Sequence, residues 1–220
     1  MNEQISFFSG FAPRDLMFLG EAALRTMWIS LLSISIGTLL GLLFGWLLYE
    51  GRLTATLTLA PVLDVFRSVP LIIQLVLFYN FAPIVGLNLD PFASGVVILS
   101  IYCAALVANV ARGGIEAVDP PMRRAARSLG MSYWQDMRYV VLPIGLRAVF
   151  PAWVGVALGV MKDSALVSVL GYVELLKASQ ILITRTQEPF LILTLAGAFY
   201  FALSYPISRY AAKLEQRWAQ

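Results

Sequence analysis

The sequence predicts an all-α integral membrane protein with about five transmembrane helices. Composition points there first: 59% of its 220 residues are hydrophobic, 13% are charged, and the mean hydropathy is +0.77. Soluble domains carry about 25% charged residues, so this chain has too little polar material to coat a core of its size. The second observation is segmentation. The apolar residues fall into runs of roughly 20, the length of helix that crosses a hydrocarbon core. The third is that charges sit mostly in the short pieces between those runs.

The first eighteen residues, MNEQISFFSGFAPRDLMF, include Glu3, Arg14 and Asp15 and lack the uninterrupted apolar core of a signal peptide. The first span is expected over about 20–49, with Met27 to Tyr49 free of charge. Gly37, Gly41 and Gly45 recur there at four-residue spacing and make a smooth stripe. Such a stripe admits either a second subunit or another helix of the same chain. The second span, about 54–82, contains Asp64, Arg67 and Pro70. The third covers about 92–113. The fourth covers 140–162, crossed by Arg147, and the fifth 189–212. Between Lys162 and Glu188 the piece SALVSVLGYVELL is too short to span and reads as a re-entrant or interfacial helix. No soluble domain interrupts the chain, so 1–220 is one transmembrane domain.

Five spans put the two ends on opposite sides. With the N-terminus outside, ten of the sixteen basic residues fall on the cytoplasmic side, among them Arg112, Arg123, Arg124, Arg127, Arg138 and Arg209. Five (Arg14, Arg25, Lys162, Lys177 and Arg185) fall outside, and Arg67 lies within the second span. Basic loops favour the cytoplasm, so the count favours N-out, C-in. The net charge of +3 carries no basic-aromatic stripe for nucleic acid. Cys103 stands alone in an apolar run and reads as a packing residue. The chain has no histidine, which excludes His-based catalytic and metal patterns. It also has no GxxxxGK[ST], so it is not expected to hydrolyse ATP itself.

The loop over about 117–143 is the densest basic stretch, with four arginines between Arg123 and Pro143. Asp119 is a good N-cap, and Pro120 and Pro121 suit a first helical turn. Met122, Ala125, Ala126 and Leu129 then follow the spacing of one helix face, with Arg123, Arg124 and Arg127 outside it. Gly130 supplies a left-handed stop. Ser132 and Gln135 form an S-x-x-Q capping box for a second short helix with Trp134, Met137 and Val141 on one side, up to Pro143. The small face suits close approach to a partner; the alternative is a basic interfacial helix that anchors the loop to lipid.

AARSLGMSYWQDMRYVVLP resembles the EAA loop of ABC-importer permeases, in which EAA, three residues, G, nine residues, I, one residue and LP follow one another. Ala125, Ala126, Gly130, Val140, Leu142 and Pro143 stand at that spacing. Arg124 takes the glutamate position and Val140 the isoleucine position. DVFRSVPLIIQLVLFY (Asp64 to Tyr79) and MKDSALVSVLGYVELLKASQ (Met161 to Gln180) are similar to segments of the polar amino acid permeases, and the likeness runs from about Gly20 to Arg217.

The resemblance implies a type I ABC importer permease in a bacterial inner membrane, with no cofactor of its own. Its expected partners are two ATPase subunits holding ATP and Mg, a second permease chain, identical or related, and an extracytoplasmic amino-acid-binding protein. It makes Arg124, Ala125, Ala126, Leu129, Gly130, Leu142 and Pro143 the ATPase-coupling residues, and Arg124 then calls for an acidic residue on the partner. A zwitterionic amino acid needs a partner of each sign in a low-dielectric site. Arg67 or Lys162 suits its carboxylate, Asp163 its ammonium, and Gln74 and Ser164 its hydrogen bonds. Asp64 and Arg67, at i, i+3, instead satisfy each other if they touch no substrate. Glu174 is a gate or a surface residue. A self-contained ion- or proton-coupled carrier or channel is the alternative, with Asp64 and Glu174 as its ionisable groups.

Overall fold

The computed structural model describes residues 10–218, and all regular structure within them is helical. α1 (Pro13–Glu50) starts on a proline, suited to a first turn, and continues to Gly51. α2 (Arg52–Ser68) and α3 (Leu71–Phe81) follow, then a 3₁₀ turn over Ala82–Val85. α4 (Pro91–Glu116) is capped by Asp90, whose carboxylate accepts from the Ala93 N–H. α5 (Pro120–Ser128) and α6 (Tyr133–Asp136) lead through a π-turn at Met137–Val141 into α7 (Leu142–Asp163). A 3₁₀ segment (Ser164–Leu170), α8 (Leu175–Thr186) and α9 (Pro189–Trp218) complete the chain.

Among the described residues, four helical stretches are long and apolar enough to cross a membrane: 13–50, 91–116, 133–170 and 189–218. The bent pair α2–α3 makes a fifth if counted as one. The predicted second span is therefore broken, by 104° between its halves. The cause is local. Pro70 pushes Val69 out of helical geometry, to φ −80° and ψ 131°, as proline does to its predecessor. The predicted loop is also shorter than 117–143. The capping box at Ser132 starts a helix that does not stop at Pro143 but continues into the fourth span. Pro143 has no N–H to give its fourth-preceding carbonyl, and the π-turn just before it shifts the ladder without breaking the helix.

The core lies between α1 and α4. A Cβ added at Gly37 would lie 2.5 Å from the Cys103 Cβ, and one at Gly41 2.5 Å from the Val107 Cβ. At Gly45 it would lie 2.6 Å from the Ala108 carbonyl oxygen. Of the two roles open to this stripe, packing within the chain is the one observed, and Cys103 is buried against it. Ile29, Leu75, Leu99 and Val167 fill the centre. A second cluster, around Leu19, Leu175, Leu182 and Ile192, packs α8 between α1 and α9.

Candidate functional site

α5 is held rigidly at one end of the bundle. Met122 and Arg123 donate their N–H groups to the Asp119 carbonyl at 3.0 and 3.4 Å, while the Asp119 side chain makes no capping bond. Gly130 adopts φ +87°. The Met131 N–H reaches the Ala126 carbonyl at 3.2 Å and the Gly130 N–H that of Arg127 at 3.0 Å, a Schellman stop. Ser132 and Gln135 then cap each other, at 2.8 and 3.4 Å.

An ion pair fixes the angle of α5. Arg123 donates through Nε to Asp136 Oδ2 at 2.9 Å, and one of its terminal nitrogens lies 2.8 Å from the same oxygen as an ion pair. Its other terminal nitrogen donates to the Tyr49 hydroxyl at 2.7 Å. Asp136 is fully buried and Arg123 is 8% exposed. Tyr133 donates to Glu50 at 2.7 Å and accepts from the Trp46 indole at 2.9 Å. The end of α1 thus clamps both short helices. Arg127 reaches Asp136 at 3.7 Å and lies over the Tyr133 ring.

This reverses part of the expected face. Arg123, grouped by spacing with the outer arginines, points inward beside Ala126. Met122, Ala125 and Leu129 point outward, with Leu129 83% exposed. Arg124 is exposed without a hydrogen bond or ion pair to its guanidinium among the described residues. Leu142 and Pro143 are exposed immediately after the buried Val141. The clamp was missed because no helical spacing links Arg123 to Asp136. The available signal was that Asp136 is the one acid between Pro120 and Pro143, among four arginines.

The six residues expected along a substrate path fall in three places. Arg67 pairs with Asp64 at 3.4 Å on α2, both partly exposed. Gln74 stitches the bend, its Nε2 donating to the Phe66 and Val69 carbonyls at 2.8 and 2.7 Å. Its Oε1 is buried without a partner. Lys162 is exposed and Asp163 half-buried at the end of α7. Neither makes a hydrogen bond or ion pair among the described residues. Ser164 is fully buried, donating to the Met161 carbonyl at 2.8 Å and accepting from Ser30 at 3.1 Å.

Glu174 is fully buried, which excludes the surface position. Its carboxylate accepts from the Leu176 and Lys177 N–H groups, both at 2.9 Å, at the positive end of α8. The Tyr200 and Thr26 hydroxyls add contacts at 3.2 and 3.4 Å. Burial pushes this carboxyl above the ordinary glutamate range, and those hydrogen bonds pull against it. Asp15 and Arg185 pair at the same end of the molecule, tying α1 to α8.

This architecture defines a class: a helical membrane subunit that presents a short, clamped helix at one end. The fold is that of a type I ABC importer permease. It overlays with a TM-score of 0.82 on a solved structure described as an amino acid ABC transporter with histidines, 32% identical over 91% of this chain and 94% of that one. The inward-facing MetNI methionine ABC transporter shares the fold, with a TM-score of 0.78 at 22% identity, over 94% of this chain and 99% of that one.

The family of binding-protein-dependent transport system inner membrane components matches residues 37–220, and the chain belongs to it. A curated relative, the glutamine transport system permease protein GlnP of Escherichia coli K12, is 31% identical over 90% of this chain and 91% of its own.

Proposed function

We propose that this chain is the membrane pathway of an ATP-driven importer for a polar amino acid, glutamine or a close analogue, in a bacterial inner membrane. The chain alternates between outward- and inward-open states beside a second permease chain. An extracytoplasmic binding protein delivers the substrate, and two separate ATPase subunits supply ATP, Mg and hydrolysis. The N-terminus lies outside and the α5 end faces the cytoplasm. That orientation rests on the charge count, ten basic residues against five.

The observation that carries this reading is α5 itself. Met122, Ala125 and Leu129 are turned away from the chain that holds them, while Arg123 and Asp136 fix the helix from behind. An apolar face kept rigid and uncovered serves a partner, and the likeness to an amino acid ABC transporter supports an ATPase as that partner. Leu142 and Pro143, on the helix that follows, are exposed as well. Lys162 and Asp163, adjacent and without a hydrogen bond or ion pair among the described residues, are the pair best placed to meet a zwitterion, with Gln74 holding the α2–α3 bend and Arg67 paired to Asp64 within α2. Ser164 and Glu174 act from behind, in the packing of α1 against α7 and α8.

The test is uptake of labelled glutamine into liposomes holding this permease, its ATPase and the binding protein. ATP should drive it, and a proton gradient alone should not. Uptake by the permease alone, driven by protons, would establish the self-contained carrier instead.

A further inference from the structure

We propose that the groove between α1, α4 and the α6–α7 helix holds one acyl chain of an anionic phospholipid, with the headgroup phosphate on Arg138. Two adjoining cavities, of about 340 and 280 Å³, share Leu42, Ala111, Leu146 and Val149 as walls. Ligand sites commonly fall in about this size range or above. Their register is regular. Thr38, Leu42 and Trp46 recur every four residues on α1, so the trough runs roughly 12 Å along that helix. Val141, Gly145, Val149 and Trp153 do the same on the opposite wall.

The trough is apolar along its length and polar only at its mouth. Its one hydroxyl, that of Thr38, already accepts from the Trp153 indole at 3.0 Å. A zwitterionic substrate would find no acidic side chain in these walls for its ammonium. At the α5 end, Trp46 and Trp134 stack with centroids 6.1 Å apart. Beside them are two donor groups without an acceptor among the described residues: the exposed Arg138 guanidinium and the Trp134 indole N–H. Arg138 lies only over the ring of its neighbour Tyr139. Tryptophans collect at the headgroup level of a bilayer, and arginine there attracts anionic lipid. A single aliphatic chain ending in a phosphate satisfies both halves of this groove. In that position it stiffens the junction where Trp46 of α1 holds Tyr133 of α6.

Fluorescence tests this directly, because four of the five tryptophans (Trp46, Trp134, Trp153 and Trp218) line the two cavities. The full-length permease in phosphatidylcholine vesicles is titrated with phosphatidylglycerol brominated in its acyl chains, and with brominated phosphatidylcholine as reference. Quenching by the phosphatidylglycerol should saturate and favour it about fivefold, the gain from one basic residue beside an anionic surface. Arg138→Gln should bring the two lipids level, and Arg209→Gln, on α9, should keep the preference. The proposal fails if the two lipids quench the wild-type protein equally, or if Arg138→Gln keeps the preference. It also fails if Arg209→Gln abolishes the preference as completely, or if neither lipid quenches because a second permease chain fills the groove.

Discussion

Two carboxylates of this protein, Asp136 and Glu174, are both fully buried, and their charges are met in opposite ways, with Asp136 Oδ1 left without a hydrogen-bond partner among the described residues. Asp136 meets a guanidinium: Arg123 at 2.8 Å, with Arg127 beyond it at 3.7 Å. Glu174 meets no cation among the described residues. Two backbone N–H groups at the start of α8 and two hydroxyls carry it. The first solution joins short helices at an end of the bundle and leaves their outer face free. The second closes the packing of α1, α8 and α9 around a fully buried carboxylate. A buried ion pair is a rigid, two-partner device, whereas a helix terminus spreads the same charge over several donors.

Removing one partner of the ion pair should therefore cost most. Asp136→Ala strands Arg123 and should lower the unfolding free energy by about 3–5 kcal/mol, read by thermal or denaturant unfolding in detergent. The double replacement Arg123→Met with Asp136→Leu should recover much of that loss. If the single variant is as stable as wild type, the clamp is not what holds α5.

Glu174→Ala should cost less, about 1–3 kcal/mol, because two N–H donors and two hydroxyls lose a shared acceptor. Glu174→Gln should cost less again, since its carbonyl oxygen still accepts. The acid also carries a pH signature of definite sign. Burial raises its folded-state value, so the protonated form contributes stability below the ordinary glutamate range. That contribution fades as pH rises through the raised value, and Glu174→Gln should flatten the stability profile there. Gly130→Ala is the smallest of the set, about 1 kcal/mol, for an alanine forced to φ +87° where its Cβ meets no other atom.

Much of this was legible in the sequence. Charge-free runs mark the first and third spans, and the Ser132 and Gly130 signals stand where the structure uses them. Those signals are local, set by a residue and its next few neighbours. What the sequence hid is long-range. Arg123 and Asp136 are thirteen residues apart on different helices, and Thr26 meets Glu174 across 148 positions. No periodicity connects such pairs. The same limit explains the face of α5. Spacing grouped Met122, Ala125, Ala126 and Leu129 on one side, whereas the structure buries Ala126 beside Arg123 and exposes the other three. Only the ion pair decides that Ala126 turns in and the other three turn out.

The central claim is that the outward face of α5 drives transport through a partner ATPase, while its inward face only holds the fold. Leu129→Asp, at an 83% exposed position, separates the two. The measurement is ATP hydrolysis and glutamine uptake by the reconstituted complex, beside the melting temperature of the permease alone. The account predicts an unchanged melting temperature with uptake lost and hydrolysis no longer responsive to the loaded binding protein. Wild-type uptake and a wild-type response to the binding protein would contradict it.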